Sequence, residues 1–123
     1  MKRSLYILLV EDDPSLGPMT FHVLIKLGHR SELAITAPAV YRHLSQPHEF
    51  ALVLLDLHLG DELSEPLILR LRSEKFEMPK IVIFSSQPVA ELHRVARAIG
   101  AHAIVQKPAS IEQIDAAIEL ATA

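Results

Sequence analysis

The chain has 123 residues, the usual size of a single domain, so one hydrophobic core is expected over residues 1–123. Half of the residues are apolar, 22% are charged and none is cysteine, which excludes a disordered chain, a disulfide framework and a thiolate metal site. The formal net charge is -3 and the twelve lysines and arginines are scattered, so no direct binding to nucleic acid is expected.

The N-terminus gives no signal for export or membrane insertion. The basic Met1-Lys2-Arg3 precedes an apolar stretch that is too short for a signal peptide and runs into three carboxylates. No apolar run approaches the ~20 residues that a membrane-spanning helix needs. Because the lack of cysteine also allows a reducing compartment, we expect a cytoplasmic protein that does not enter the membrane.

Five runs of strand length recur along the chain, at residues 5–10, 30–36, 51–55, 81–84 and 103–105. All but the second are rich in Val, Ile or Leu and too short for helices, which is typical of strands buried on both faces of a parallel sheet. The run at 30–36 is apolar only toward its end. It is therefore predicted nearer an edge.

The first run is followed by a helix with clear start and stop signals. Asp13 supplies its cap, Pro14 fits its first turn and Gly28 ends it. The side chains predicted to form its buried face are Leu16, Met19, Val23 and Leu27.

Three further helices occupy the intervals between the later strands. Thr36 with Pro38 opens the second helix, and Ser64 with Pro66 opens the third. Gly100 stops the fourth. The predicted buried stripe of that helix is Val89, Leu92, Ala96 and Ile99.

A fifth helix closes the chain. Ser110 and Gln113 match a capping box, and the predicted buried stripe after it is Ile111, Ile114 and Ile118. Strict alternation of strands and helices requires right-handed crossovers, so we predict an α/β fold with a five-stranded parallel sheet, doubly wound, with helices on both faces. Ligands of such sheets bind at the carboxyl ends of the strands.

Polar residues follow four of the five predicted strands at those ends. They are Glu11, Asp12 and Asp13 after the first, Asp56 after the third, Ser85 and Ser86 at the fourth, and Lys107 with Pro108 after the fifth. Carboxylates that converge with a lysine and a hydroxyl make an oxygen-ligand site suited to magnesium. The sequence therefore predicts a magnesium-assisted phosphoryl site.

Each of these residues also has a plainer interpretation. We interpret Asp13 as a helix cap, whereas Glu11 and Asp12 follow a buried strand, where carboxylates raise each other's pKa unless a cation is bound, which favours a metal. Asp56 alone could equally cap a loop, and Ser85 could bond local backbone. Lys107 is interpreted as functional because it follows a buried strand and precedes a proline. The seven histidines show no helical zinc spacing and are interpreted as mostly surface residues.

With these residues in place, the sequence resembles the receiver domain of bacterial two-component response regulators over essentially its whole length. Residues 7–13 are similar to the family's first strand and acidic pair, and residues 54–59 to its phosphoacceptor segment. Ser85 matches a Thr or Ser position, and Lys107-Pro108 matches a lysine joined to proline by a cis peptide bond. The resemblance implies a flavodoxin-like (βα)5 fold.

The resemblance also implies a ligand set and an acceptor. Magnesium would be held by Asp12, Asp56 and the backbone carbonyl of His58, with Glu11 acting through water. Asp56 would accept a phosphoryl group from a sensor histidine kinase, a phosphotransfer protein or a small phosphodonor, and Lys107 would neutralise charge on the equatorial oxygens. Such a domain catalyses only its own phosphorylation and dephosphorylation.

The implied output is a change of surface. The Ser85 hydroxyl would bond a phosphoryl oxygen and shift the face formed by helix four, strand five and helix five. A downstream protein that the sequence does not identify would read this face, and the same face would carry a homodimer.

Three departures from the family pattern qualify the resemblance. Gly60 stands after Leu59 where the family commonly has proline, which frees the backbone of that loop. Ile104 replaces the Tyr or Phe that often reports phosphorylation. Nothing follows the last helix, so the chain is expected to be either a single-domain regulator or a fragment.

Other classes of function fit the sequence less well. A phosphatase-like enzyme using Asp56 on an outside substrate would need extra structure to cover it, and a flavin or nucleotide module would need a first loop that welcomes phosphate, whereas this loop is acidic. A receiver-like interaction module that works without phosphorylation is the closer alternative. It has no obvious need to keep the five site residues together.

Overall fold

The computed structural model describes residues 3–123; Met1 and Lys2 of the predicted domain lie outside the described residues. Five strands form the main sheet: β1 (Tyr6–Val10), β2 (Arg30–Ala34), β3 (Leu52–Leu55), β4 (Lys80–Ser85) and β5 (Ala103–Gln106). The helices are α1 (Leu16–Lys26), α2 (Ala37–Leu44), α3 (Ser64–Ser73), α4 (Val89–Ile99) and α5 (Ile111–Thr122). The predicted alternation is confirmed.

The sheet is parallel throughout, with strand order β2-β1-β3-β4-β5. Alternate strand residues face opposite sides and build two cores. The first core joins the sheet to α2, α3 and α4 and includes Val53, Leu55, Ile68 and Leu92. The second joins it to α1 and α5 and includes Leu24, Leu54, Val82 and Ile118. The doubly wound arrangement is therefore as predicted.

The sequence predicts the position of one edge strand correctly and the burial of the other incorrectly. β2 lies at an edge, as expected. The predicted run extends to residue 36, but the strand stops at Ala34 because Thr36 caps α2, with its hydroxyl accepting the N–H of Ala39 at 3.2 Å. β5 forms the other edge, where Ile104 is half-buried and Gln106 is exposed. The prediction that residues 103–105 are buried on both faces is wrong for Ala103 and Ile104, which are half-buried because an edge strand has a neighbouring strand on one side only, although α4 and α5 pack on its two faces.

The predicted face of α1 is correct only in part, since Leu16, Val23 and Leu27 are half-buried but Met19 is not. Met19 is 59% exposed, and the buried residues of the helix are Gly17, Thr20 and Leu24. Apolar residues lie all around α1, so their spacing fitted more than one face. A Cβ on Gly17 would lie 3.5 Å from the backbone oxygen of Glu11, so the helix approaches β1 through its smallest residue.

The predicted caps and buried residues of α3, α4 and α5 are mostly correct. The exceptions are the first residues of α4 and α5 and the cap of α3. The capping box of α5 is present, and Gly100 ends α4 in the left-handed conformation, with φ of 72°. Val89 and Ile111, each the first residue of its helix, are exposed rather than buried. Ser64 is fully buried and does not cap α3 with its side chain.

Three further features of the fold are a buried histidine, a short hairpin and the length of the helices. His29 is buried, and its Nδ1 accepts the backbone N–H of Leu5 at 3.1 Å, so it is an exception to the prediction of surface histidines. A short antiparallel hairpin, His58–Leu59 paired with Glu62–Leu63, stands between β3 and α3. Across residues 3–123, none of the helices has the length and apolar character needed to span a bilayer.

Candidate functional site

The carboxyl ends of β1, β3, β4 and β5 meet around an open cleft of about 340 Å³. Glu11 and Asp12 follow β1, Asp56 follows β3, Ser85 ends β4, and Lys107 follows β5. All five residues line the cleft. The structure therefore brings together the residues that the sequence singled out, because parallel neighbours end at the same edge of the sheet.

Lys107 is the electrostatic centre of the cleft. Its Nζ donates to Oε1 of Glu11 at 2.5 Å and to Oδ2 of Asp56 at 3.2 Å. The three side chains are largely removed from water, with exposed fractions of 14% for Lys107, 2% for Glu11 and 11% for Asp56. The Lys107–Pro108 peptide bond is cis, as the resemblance implies.

The surroundings of Glu11 shift the pKa of its carboxyl in opposite directions. Burial raises its pKa above the ordinary value, the neighbouring Asp56 raises it further, and the Lys107 ammonium opposes both effects. Carboxylates that follow a buried strand need a cation. The sequence favours a metal ion for Glu11, whereas the structure shows that Lys107 already supplies a positive charge to this carboxylate.

Three acidic side chains fit a hard metal ion. Glu11, Asp12 and Asp56 can each offer one carboxylate oxygen, and these oxygens lie within 4.8 Å of one another. Oxygen donors of this kind suit magnesium, which takes one or two carboxylates and completes its shell with water and phosphate oxygens. His58 lines the same cleft, and its backbone N–H donates to Oδ1 of Asp56 at 3.2 Å.

Asp13 lines the same cleft, but its carboxylate is not part of the three-residue oxygen cluster and caps α1 instead. Its Oδ1 accepts the backbone N–H groups of Ser15 and Leu16, each at 2.8 Å, and these hydrogen bonds lower the pKa of the carboxyl. The prediction of a cap for this residue is confirmed. Asp13 therefore differs from its neighbours Glu11 and Asp12, because its carboxylate binds the backbone of α1 and theirs belong to the oxygen cluster.

Ser85 shows the local bond that the sequence argument left open. The side chain is buried, and its Oγ accepts the N–H of Gln87 at 3.3 Å. A hydroxyl that accepts through its oxygen can still donate its proton, so a bond to a ligand in the cleft stays available. The amide of Gln106 in turn donates to the carbonyl of Gln87 at 3.1 Å, which ties the loop after β4 to β5.

Sequence reasoning missed two residues that support the acidic cluster. The Ser64 hydroxyl donates to the backbone carbonyl of Asp56, whereas the sequence predicts that Ser64 opens α3. The Gly60 N–H donates to Oδ2 of Asp12 at 2.6 Å. No signal in the sequence pointed to Ser64. The sequence indicates Gly60 only as a source of loop freedom, yet it occupies a hairpin turn.

Comparison with known proteins agrees with this picture. The sequence pattern of the response regulator receiver domain matches residues 7–119. The non-phosphorylated HemR receiver domain from Leptospira biflexa is 28% identical, covers 98% of this chain and 95% of its own, and superposes with a TM-score of 0.81. No curated protein matches the sequence.

Two more distant structures share the fold. The chemotaxis protein CheY4 from Vibrio cholerae is 18% identical, with 97% of this chain and 99% of its own covered and a TM-score of 0.82. A CheY-like receiver domain protein from Methanospirillum hungatei is 23% identical, with 95% and 92% covered and a TM-score of 0.81. The predicted flavodoxin-like fold is confirmed.

Proposed function

This chain belongs to the response regulator receiver domain family of two-component systems, and we propose that it is a switch that accepts a phosphoryl group on Asp56 with magnesium as cofactor. The observation that carries the proposal is the 3.2 Å contact between Lys107 and Asp56 in a cleft that the acidic residues Glu11, Asp12 and Asp13 also line. A nearly buried carboxylate can attack an incoming phosphoryl group while the neighbouring cation stabilises negative charge on the phosphoryl oxygens.

The proposed reaction is an in-line transfer. An oxygen of Asp56 attacks the phosphorus of the donor, an acyl phosphate bond forms, and the bond from phosphorus to the donor's nitrogen or oxygen breaks. Lys107 neutralises charge on the equatorial phosphoryl oxygens, so catalysis consists mostly of positioning and electrostatic stabilisation. The chain catalyses only its own phosphorylation and dephosphorylation in this scheme.

The magnesium ion would be held by Asp12, Asp56 and the backbone carbonyl of His58, with Glu11 acting through water. When bound, the ion supplies positive charge that lets an anionic carboxylate and an anionic phosphoryl group approach each other. The oxygen cluster of the three acidic side chains supports this assignment. Glu11 also keeps Lys107 in place through their ion pair.

We further propose that the loop after β4 carries the signal. The Ser85 hydroxyl would turn its proton toward a phosphoryl oxygen and exchange its bond with Gln87 for the new one. Because Gln106 holds the carbonyl of Gln87, movement of this loop would reach β5 directly. Ile104 is stiff at its first torsion and wholly apolar, so it does not act as a rotating aromatic reporter.

The proposed partners follow from this chemistry. A sensor histidine kinase or a phosphotransfer protein would supply the phosphoryl group, and a downstream protein would read the face formed by α4, β5 and α5. The same face is our proposed site for any homodimer. The cytoplasm stays our expectation for the location of the protein.

Incubation with acetyl phosphate and Mg²⁺, followed by mass spectrometry of the intact protein, tests the proposal. The wild type should gain one phosphoryl group only when the ion is present, and Asp56→Asn should gain none. Asp61→Asn, which removes an exposed carboxylate of the neighbouring hairpin, is the matched control and should label like the wild type. Full labelling of Asp56→Asn would overturn the assignment, and an unlabelled wild type would favour a module that works without phosphorylation.

A further inference from the structure

We propose that Gly60 is a positioning residue of the metal site, whose backbone N–H holds the Asp12 carboxylate ready to bind Mg²⁺. The inference rests on the proposed magnesium site and adds a residue to it. Its basis is the 2.6 Å hydrogen bond from Gly60 to Oδ2 of Asp12, which joins positions 48 apart in sequence. A proline at this position, common in the family, has no N–H and could not make the bond.

The hairpin places the donor. Gly60 and Asp61 form the two-residue turn between His58–Leu59 and Glu62–Leu63. Gly60 has φ of 61°, in the left-handed region that such turns favour and that proline cannot adopt. This turn carries the N–H to the Asp12 side of the cleft. The freedom that glycine gives the backbone is therefore used to make one specific contact.

The bond supplies what Lys107 does not. Lys107 holds Glu11 and Asp56 through its two ion pairs. Asp12 is the most exposed of the three acidic side chains, and among the described residues its carboxylate forms no ion pair with the lysine. A hydrogen bond to one oxygen of a carboxylate leaves the other oxygen for an ion. Holding the side chain in one orientation beforehand reduces the ordering that ion binding would otherwise require.

Residues 58–64, the hairpin and the first residue of α3, also hydrogen-bond to Asp56. The backbone N–H of His58 donates to Oδ1 of Asp56 at 3.2 Å, and the Ser64 hydroxyl donates to its backbone carbonyl. Residues 58–64 thus contact two of the three acidic residues. Since coupling between two events is reciprocal, an ion that fixes Asp12 and Asp56 should stabilise the hairpin by as much as the hairpin favours the ion.

Two substitutions at the same position separate the N–H from the side chain. Gly60→Pro removes the donor and forbids the left-handed turn. Gly60→Asn keeps the donor, and asparagine tolerates this conformation better than other side chains. A Cβ on Gly60 would lie 3.9 Å from Oδ2 of Asp12, an ordinary contact, so the asparagine does not displace the bond.

The test is a Mg²⁺ titration of each ¹⁵N-labelled protein followed by nuclear magnetic resonance. Gly60→Pro should weaken Mg²⁺ binding roughly tenfold, the usual worth of a hydrogen bond to a charged group, and Gly60→Asn should stay within about twofold of the wild type. Equal affinity in the wild type and Gly60→Pro would overturn the inference alone. Failure of the wild type to bind Mg²⁺ would instead overturn the proposed function.

Amide hydrogen exchange gives a second readout that does not depend on the proline variant folding. In the wild type without metal, the Gly60 amide should exchange slowly, and Asp12→Ala should accelerate its exchange at least tenfold while leaving amides of the sheet unchanged. Added Mg²⁺ should slow exchange across residues 58–64. A Gly60 amide that exchanges equally fast with and without the Asp12 carboxylate would show that the bond does not form.

Discussion

Replacing Lys107 by methionine would remove the cation that lies between two nearly buried carboxylates. Methionine keeps much of the apolar stem and loses the charge. In the wild type, Glu11 and Asp56 share that charge at 2.5 and 3.2 Å. In the variant, two like charges would face each other in a poorly hydrated site, and we expect a large loss of folding stability in the absence of Mg²⁺.

The size of the loss follows from the geometry. At 3.2 Å, attraction between unit charges is about 5 kcal/mol for an effective dielectric constant of about 20, and the cost of desolvating the lysine offsets part of it. Removing one partner of a buried pair typically costs about 3–5 kcal/mol. Because Lys107 is 14% exposed and water reaches the cleft, we expect a value near the lower end, about 3 kcal/mol.

The same reasoning fixes the pH dependence. Burial and Asp56 already raise the pKa of Glu11, and without the ammonium nothing opposes them. A carboxyl whose pKa is higher in the folded state than in the unfolded state destabilises the fold when ionised, and that penalty is relieved as the pH falls through its folded pKa. The difference between Lys107→Met and the wild type should therefore shrink between pH 8 and pH 5.

Urea unfolding followed by circular dichroism, without Mg²⁺, measures both effects. Lys26→Met, at an exposed position of α1, is the matched control and should cost less than about 0.5 kcal/mol. Adding Glu11→Gln to Lys107→Met should restore part of the stability. A loss below about 1 kcal/mol, or an equal loss at pH 8 and pH 5, would refute the electrostatic account of the cleft.

Three further expectations concern separate parts of the molecule. Asp12→Ala should strongly weaken Mg²⁺ binding in a titration, whereas Asp13→Ala should leave it unchanged and cost about 1 kcal/mol in urea unfolding; equal losses of affinity would contradict the assignment. Gly100→Ala should cost about 1–2 kcal/mol because φ there is 72°, and an unchanged thermal midpoint would count against it. Burial lowers the pKa of His102, whose Nδ1 accepts the N–H of Ile81 at 3.2 Å. The stability that neutral His102 provides above about pH 6.5 should therefore be lost as the pH falls. Thermal melts at pH 7.5 and 5.5 should show this loss in the wild type and not in His102→Phe.

Much of the fold could be predicted because its strands are buried in the sheet. The run 52–55 has four apolar residues in succession, which fits a central strand covered on both faces and is too short for a helix. Placing Asp56 and Lys107 at the ends of such runs predicted their meeting, since parallel strands end together. Caps such as Ser110 with Gln113 were readable because their bonds span only three positions.

What could not be predicted depends on contacts between distant positions. The face of α1 is set by the close approach of Gly17 to Glu11, and apolar spacing cannot reveal an approach. Ser64 looks like a helix cap in sequence, but the hairpin before it turns its hydroxyl to Asp56. Gly60 has no side chain to signal a role, and its contribution is a backbone N–H whose direction only the folded turn defines.

The central claim is that Asp56 carries the phosphoryl group, and chemical trapping of the acyl phosphate tests it most directly. The protein would be incubated with acetyl phosphate and Mg²⁺, reduced with borohydride and digested for peptide mapping. Reduction converts an aspartyl phosphate to homoserine, so position 56 should carry homoserine only in samples that received both the donor and the ion. Homoserine at Asp12 or Asp61, or none at position 56 in protein that mass spectrometry shows to be phosphorylated, would contradict the account.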